Sequence, residues 1–572
     1  MYTDEKIVKP KRKFFPEDIN LNSFETVKGI FEKLLDEEIN STEELLEFIK
    51  KVSEFNNILS EEMAWKYINM TRFADKEEYS KDFNTFYANV VSPSNKYDFE
   101  INKKIYNNKY FKNLPEDFEL MKKIIANEIE MFREENIPLQ IKENELTTKY
   151  AEIMSKLTVE FDGKEMTLIQ LGKYLKDPDR NIREKAWRVG AEKINEKAKE
   201  LNNLFDELKK IRIKIAKNAG FDNYRDYMHK AKGRFDYTPE DLIEFHNSVE
   251  KVVLPVLKDL NNKKAKKLNV EKLRPWDTTV DPDGKILKPF ETTEEFINSA
   301  IKILHNVKPE FGENLNKMKN SGFLDLENRK GKAPGGYNYP LSETGAPFIF
   351  MNAIGMQGDV RTLLHESGHA MHSFSMNWIP YSYYHQTPSE VAELASMSME
   401  LLTLDYLNEY YTDKEDIKKA VLEQFERSLD VLPWVMTVDA FQHWIYLNPD
   451  HTADERTNYF KDLMDRFNTD IDWTNLDEEK GNRWLRQLHI FEVPFYYIEY
   501  AMSQLGALAI YKNFKENGKK AVEQYEAFLK LGYTKPVSEL YRAAGIKFDF
   551  SEKYIGELME FMKKEIEKAE SL

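Results

Sequence analysis

A chain of 572 residues can bury a substantial core, either in two or more domains or in one large domain around a cleft. It contains no cysteine, which excludes disulfides, thiolate metal sites and a cysteine nucleophile, leaves any metal to His, Asp and Glu, and fits a reducing compartment. A formal net charge of -16 argues against a surface for nucleic acid or anionic membrane. The N-terminal stretch MYTDEKIVKPKRKFFPEDIN is charged where a signal peptide needs an apolar core, and no apolar run reaches the roughly 20 residues of a membrane span. The expectation is a cytoplasmic protein with neither a nucleic-acid nor a membrane partner.

Most of the chain reads as long helices. In TEELLEFIKKVSEFNNIL (from Thr42) and EYAMSQLGALAIYKNFKENG (from Glu499), apolar residues recur three and four apart among Glu and Lys. The lysines of NNKKAKKL (Asn261 to Leu268) read as a solvated helix face. RPWDTTVDPDGKILKPF (Arg274 to Phe290) interrupts the helices with a DPDG turn, and fits either a domain boundary or an excursion within one domain. Residues 1–200 are expected to form an N-terminal helical lobe and residues 201–572 a catalytic domain, with an approximate boundary.

From about Ser321 to Asp359, Gly, Pro and Asn gather with short apolar runs, the pattern of strands and turns. PFIFMN, Pro347 to Asn352, is the strongest strand candidate, and Pro347 at its start suits an edge strand. An edge strand beside a cleft can hydrogen-bond an extended peptide. Phe350 in this strand, and the paired Gly335 and Gly336 in the preceding loop, are therefore the candidate peptide-binding positions, against the plainer reading of a small structural sheet and a turn.

TLLHESGHAMHSF follows, and His365-Glu366-Ser367-Gly368-His369 is His-Glu-x-x-His. On a helix, positions four apart share a face one turn apart, so two imidazoles reach one ion while Glu366 lies beside it to handle a water. Asp359 is placed to cap the helix, and Val360, Leu363, Leu364, Met371 and Phe374 form its apolar side. Two imidazoles and a carboxylate would be costly on a buried face without partners, which favours a metal site over a structural helix. His372 lies about 10 Å along the axis from His365, too far for one ion, and is expected to pack behind the site. A catalytic zinc takes three protein ligands and one water. A third His six residues after His369 would mark a metzincin, and Ser375 stands there. An acid on the next helix is the other source. TPSEVAELASMSMELL, opened by Pro388, carries Glu390, Glu393 and Glu400. Helical geometry leaves Glu390 and Glu393 open as alternatives; the unused acids are expected at the surface or behind the ligands.

The motifs HESGHAMHSF and AELASMSME resemble the oligoendopeptidase F and thimet oligopeptidase family of zinc metallopeptidases, most closely the oligoendopeptidase F branch. GGYNYPLSETGAPFIFMN before them and HIFEVPFYYIEYAMSQLGALAIY after them extend the resemblance over about Gly331 to Tyr511. It implies a mainly helical, zincin-type ellipsoid with a deep substrate channel and a small sheet beside the site. It also implies one zinc ion per chain, with Glu393 as the acidic ligand beside His365 and His369. The activity implied is cleavage of internal bonds in short oligopeptides, with zinc activating a water and Glu366 acting as general base. The chain lacks the Gly-x-Met-Glu-Asn stretch of zincin aminopeptidases. A dipeptidyl carboxypeptidase is the alternative, and a non-catalytic peptide-binding relative is disfavoured because all four motif residues are present. A monomer and a homodimer fit equally.

Downstream, Tyr497 and Tyr500 are three apart, so a helix would turn both to one side, where hydroxyls can donate to an oxyanion. The resemblance assigns intermediate stabilisation to Tyr500 and His489, and substrate contact to Tyr497. Tyr496, about 100° around a helix from Tyr497, is expected to pack elsewhere.

Overall fold

The computed structural model describes residues 4–571. Long helices dominate, and the sheets are small: an antiparallel hairpin of β1 (Thr158–Phe161) and β2 (Lys164–Thr167), and a three-stranded sheet of β3 (Leu324–Glu327), β4 (Tyr337–Leu341) and β5 (Ala346–Ala353). The helices that build the site region are α1 (Thr42–Arg72), α2 (Arg180–Asn218), α3 (Gln357–Met376), α4 (Ser389–Leu402), α5 (Lys414–Leu447) and α6 (Ile498–Asn517).

In α1, Ser41 accepts a hydrogen bond from the Glu44 amide, and Leu45, Phe48, Ile49, Val52 and Phe55 form one buried stripe. That stripe belongs to a core built from residues 21–125 and closed by Met376 at the end of α3 and by Ile379, Tyr381 and Tyr384 after it. Further along α1, Ala64 and Ile68 pack under Leu341, Phe348 and Phe350 of the sheet. Most of the remaining helices share one large core, and a small separate cluster packs the β1–β2 hairpin against Leu171 and Ala186. The 39-residue α2 runs unbroken through residue 200, so the expected lobe boundary falls inside a helix. The DPDG excursion belongs to this packing, because its fully buried Asp277 accepts from Arg183 at 2.9 Å and from Arg180 at 2.7 Å, both on α2.

The sheet corrects two expectations. Its order is β3-β5-β4, with β3 parallel and β4 antiparallel to β5, so the PFIFMN strand is central and has no free edge. Pro347 is tolerated because β3 begins pairing only at Ile349, and on the other side Pro347 faces Pro340, which also lacks a donor. Phe350 is 1% exposed and stacks on Tyr337 at 4.8 Å, so its side chain is core and does not meet a peptide. The edge strands are β3 and, on the other side, β4. Gly335 and Gly336 are exposed in the turn before it; Gly335 has φ +99, a conformation that glycine adopts without strain. Lys332, whose side chain is covered, ties this loop down, donating to Asp325 Oδ1 at 2.8 Å and to the Glu327 carbonyl at 2.9 Å.

Candidate active site

α3 begins at Gln357, and Asp359 is its third residue rather than its cap. Its carboxylate still serves the exposed end, accepting from the Met356 and Ile354 amides at 2.8 Å. One face of α3 then presents His365 and His369, as the i, i+4 spacing requires, with ring centroids 5.0 Å apart.

Glu393 comes to this pair from α4. Its Oε2 lies 3.4 Å from His365 Nε2 and 3.8 Å from His369 Nε2, and one ligand atom from each residue lies within 4.8 Å of the others. Bonds of about 2.0–2.1 Å in a tetrahedral zinc site put ligand atoms roughly 3.3 Å apart, so the three groups fit such an ion with little adjustment. Burial holds the His369 imidazole down to about 4, whereas, against the effect of burial, Glu393 and Glu400 raise that of His365, whose proton a metal would have to displace.

The other two acids of α4 are now separated. Glu400 accepts from His365 Nδ1 at 2.6 Å and is itself held by Gln424 Nε2 at 2.8 Å, which turns His365 Nε2 towards Glu393. Glu390 is 2% exposed and faces away, accepting from the Tyr237 hydroxyl at 3.2 Å. His372 is buried against Phe528, so it packs, as its distance along the helix required. Glu366 is half-buried, and burial raises its carboxyl to about 7, partly offset by His365. Among the described residues no hydrogen bond occupies that carboxylate, while its backbone carbonyl accepts from Asn338 of edge strand β4 at 3.0 Å.

The close approach of α3 and α4 depends on Gly368. A β-carbon there would lie 2.5 Å from Ser396 Cα and 2.7 Å from the Ala395 carbonyl, both backbone of α4. Gly368→Ala is expected to push α4 away, costing at least the 1–3 kcal/mol (about) typical of overpacking and carrying Glu393 and Glu400 off the histidines. Thermal unfolding in excess zinc, with metal content measured alongside, checks both effects.

His489, Tyr497 and Tyr500 do meet. The His489 ring lies 4.5 Å from Tyr497 and 6.0 Å from Tyr500, and Glu393 is near enough for its charge to help raise the Tyr500 phenol, whose main cause is burial. Tyr496 does not pack elsewhere as expected: its ring is 5.3 Å from Tyr500 and their hydroxyls interact. Helical spacing does not apply to it, because α6 starts only at Ile498. Before the helix the chain reverses at Phe495, which holds φ 60, an uncommon conformation for a bulky residue. Neighbours impose that turn: Gln442 accepts from the Phe495 amide at 2.8 Å, and the buried Arg234 donates to the Phe495 carbonyl and, at 2.8 Å, to Glu499. A second buried arginine, Arg212 of α2, donates to the Ile490 carbonyl at 2.9 Å and to that of Phe491. These two side chains fix both ends of the segment from His489 to Tyr500. Their spacing from the motifs carries no sequence signal.

Residues 173–560 match Peptidase family M3. The chain is 29% identical over 435 residues to the oligoendopeptidase F homolog of Borreliella burgdorferi, covering 73% of this chain and 71% of that one. It is 27% identical over 303 residues to oligopeptidase PepF of Bacillus subtilis, covering 51% of this chain and 44% of that protein. Among solved structures, PZ peptidase A with an inhibitor superposes with a TM-score of 0.86 at 28% identity, over 97% of this chain and 99% of that one.

Proposed function

This chain belongs to peptidase family M3 and is a metallopeptidase that cleaves oligopeptides, and from that premise we propose a zinc endopeptidase whose ion is held, one per chain, by His365, His369 and Glu393. The observation that carries the reading is the convergence of those three ligand atoms within 4.8 Å beside an unengaged Glu366 carboxylate. Zinc bound there supplies a Lewis acid that polarises the scissile carbonyl and lowers the pKa of a water towards about 7. Glu366 takes the proton of the attacking water and delivers it to the leaving amine. His489 and Tyr500 donate hydrogen bonds to the oxygen that gains charge. Tyr497 and the Gly335–Gly336 turn before β4 contact the peptide. The cysteine-free composition supports peptide turnover in the cytoplasm, and among the described residues no helix is long and apolar enough to cross a membrane.

Mass spectrometry of a graded-length peptide mixture, with and without chelator, tests the activity. Chelator-sensitive internal cuts are expected; stepwise loss of dipeptides from one end would replace the reading with an exopeptidase, and cleavage indifferent to chelator would remove the metal from it.

Tyr500→Phe removes a donor used mainly in the transition state. It is expected to lower kcat by about 10² to 10³ with little change in KM. Tyr496→Phe is expected to cost less, since Tyr496 acts on the site through the Tyr500 hydroxyl. Steady-state kinetics on a quenched fluorescent oligopeptide, at verified zinc content, compares them. A rise in KM alone for Tyr500→Phe would make that residue a substrate clamp.

A further inference from the structure

Gln487 joins His489 to a tryptophan on α5. Its Nε2 lies 2.6 Å from His489 Nδ1, and its Oε1 accepts from Trp434 Nε1 at 2.9 Å. The two ends of a carboxamide have the same shape, so their identity is settled by partners. An indole N–H can only donate. Trp434 therefore takes Gln487 Oε1 and turns the amide N–H group to His489, where Nδ1 is left the acceptor role alone. In a neutral imidazole the proton then sits on Nε2.

We propose that Trp434 and Gln487 are positioning residues that lock His489 in its Nε2–H tautomer, so that a neutral ring offers an N–H donor to the reacting oxygen. The inference rests on the reading of His489 as an oxyanion donor.

Three further observations support it. Burial holds His489 down to about 4, so near pH 7 the ring has a single proton and its location decides whether Nε2 donates. Among the described residues no hydrogen bond engages Nε2. Trp434 is itself fixed, with the Arg483 guanidinium 4.5 Å from its ring centroid and Phe460 edge-on at 6.2 Å. A flipped Gln487 would set its amide donors against the indole donor, giving up the 2.9 Å bond and leaving the indole only the Tyr497 hydroxyl, which lies beside both side chains.

Gln487→Glu keeps the shape and offers only acceptors. Arg427 and Arg483 bring positive charge to the neighbouring Tyr497, so a carboxylate has compensating charge nearby. Nδ1 must then carry a proton. At low pH the imidazolium still donates from Nε2, and as pH rises through the raised His489 pKa the Nε2 proton is the one lost.

The test is kcat against pH for wild type, Gln487→Glu, His489→Ala and the double variant, each as zinc-loaded enzyme. The ratio of Gln487→Glu to wild type is expected to fall with rising pH towards about 10⁻², the loss of one oxyanion donor, with KM little changed. In the His489→Ala background that pH-dependent fall should vanish. A ratio flat in pH, or a fall that survives without His489, overturns the proposal while leaving His489 a donor if His489→Ala has itself lost kcat. Full activity in His489→Ala removes the underlying reading and the proposal with it. If Gln487→Glu does not fold by circular dichroism, wild type labelled with ¹⁵N-histidine decides. The His489 signals, identified by their loss in His489→Ala, should show an unprotonated Nδ1 and a protonated Nε2; the reverse pattern overturns the proposal.

Discussion

Glu366→Gln is expected to leave zinc and peptide binding intact and to lower turnover by at least about 10² to 10⁴, the usual cost of losing a general base. The substitution conserves shape, and no hydrogen bond among the described residues depends on the carboxylate. The contact that does tie this residue to its surroundings, from Asn338 at 3.0 Å, ends on the backbone carbonyl and survives the change. Glu366 also lies next to His365 without belonging to the converging ligand set. Metal analysis, peptide affinity and kcat measured on the same preparation check the separation of binding from chemistry. Near-normal turnover at full metal content would reject Glu366 as the base.

Glu393→Gln is expected to lose most of the zinc, and Glu390→Gln to keep it. The two acids stand three apart on α4, yet their surroundings differ completely. Glu393 Oε2 is 3.4 Å from His365 Nε2 and 3.8 Å from His369 Nε2, whereas Glu390 is 2% exposed and answers to Tyr237. Glu400→Gln should fall between them. Glu400 orients His365 from behind, and loss of such an outer partner typically costs about 10–100-fold in metal affinity. Competition with a graded chelator, read by elemental analysis, ranks the three variants. Retention of zinc by Glu393→Gln together with its loss from Glu390→Gln would make Glu390 the ligand.

Features that depend on neighbours along one element can be read from local spacing. His365 and His369 share a face because four residues make about one helical turn, and Glu366 lies beside them for the same reason. The helical character of the long segments follows equally from local periodicity, as in the buried stripe of α1. The choice among the acids of α4 was different. Helical spacing treats Glu390 and Glu393 as equals, and only the packing of α4 against α3, at the contact that Gly368 permits, separates the acid that meets both histidines, the acid that orients His365 and the buried acid. The tertiary structure likewise made β5 central, because β3 reaches it in parallel from a segment more than twenty residues earlier, a pairing that no local pattern encodes. It also brought Tyr496 to Tyr500, because Arg234 and Gln442 hold Phe495 in a reversal that delays the helix to Ile498. These decisions rest on contacts between residues tens to hundreds of positions apart. Periodicity carries information over one turn of helix or one step of strand, and nothing in it reaches across such distances.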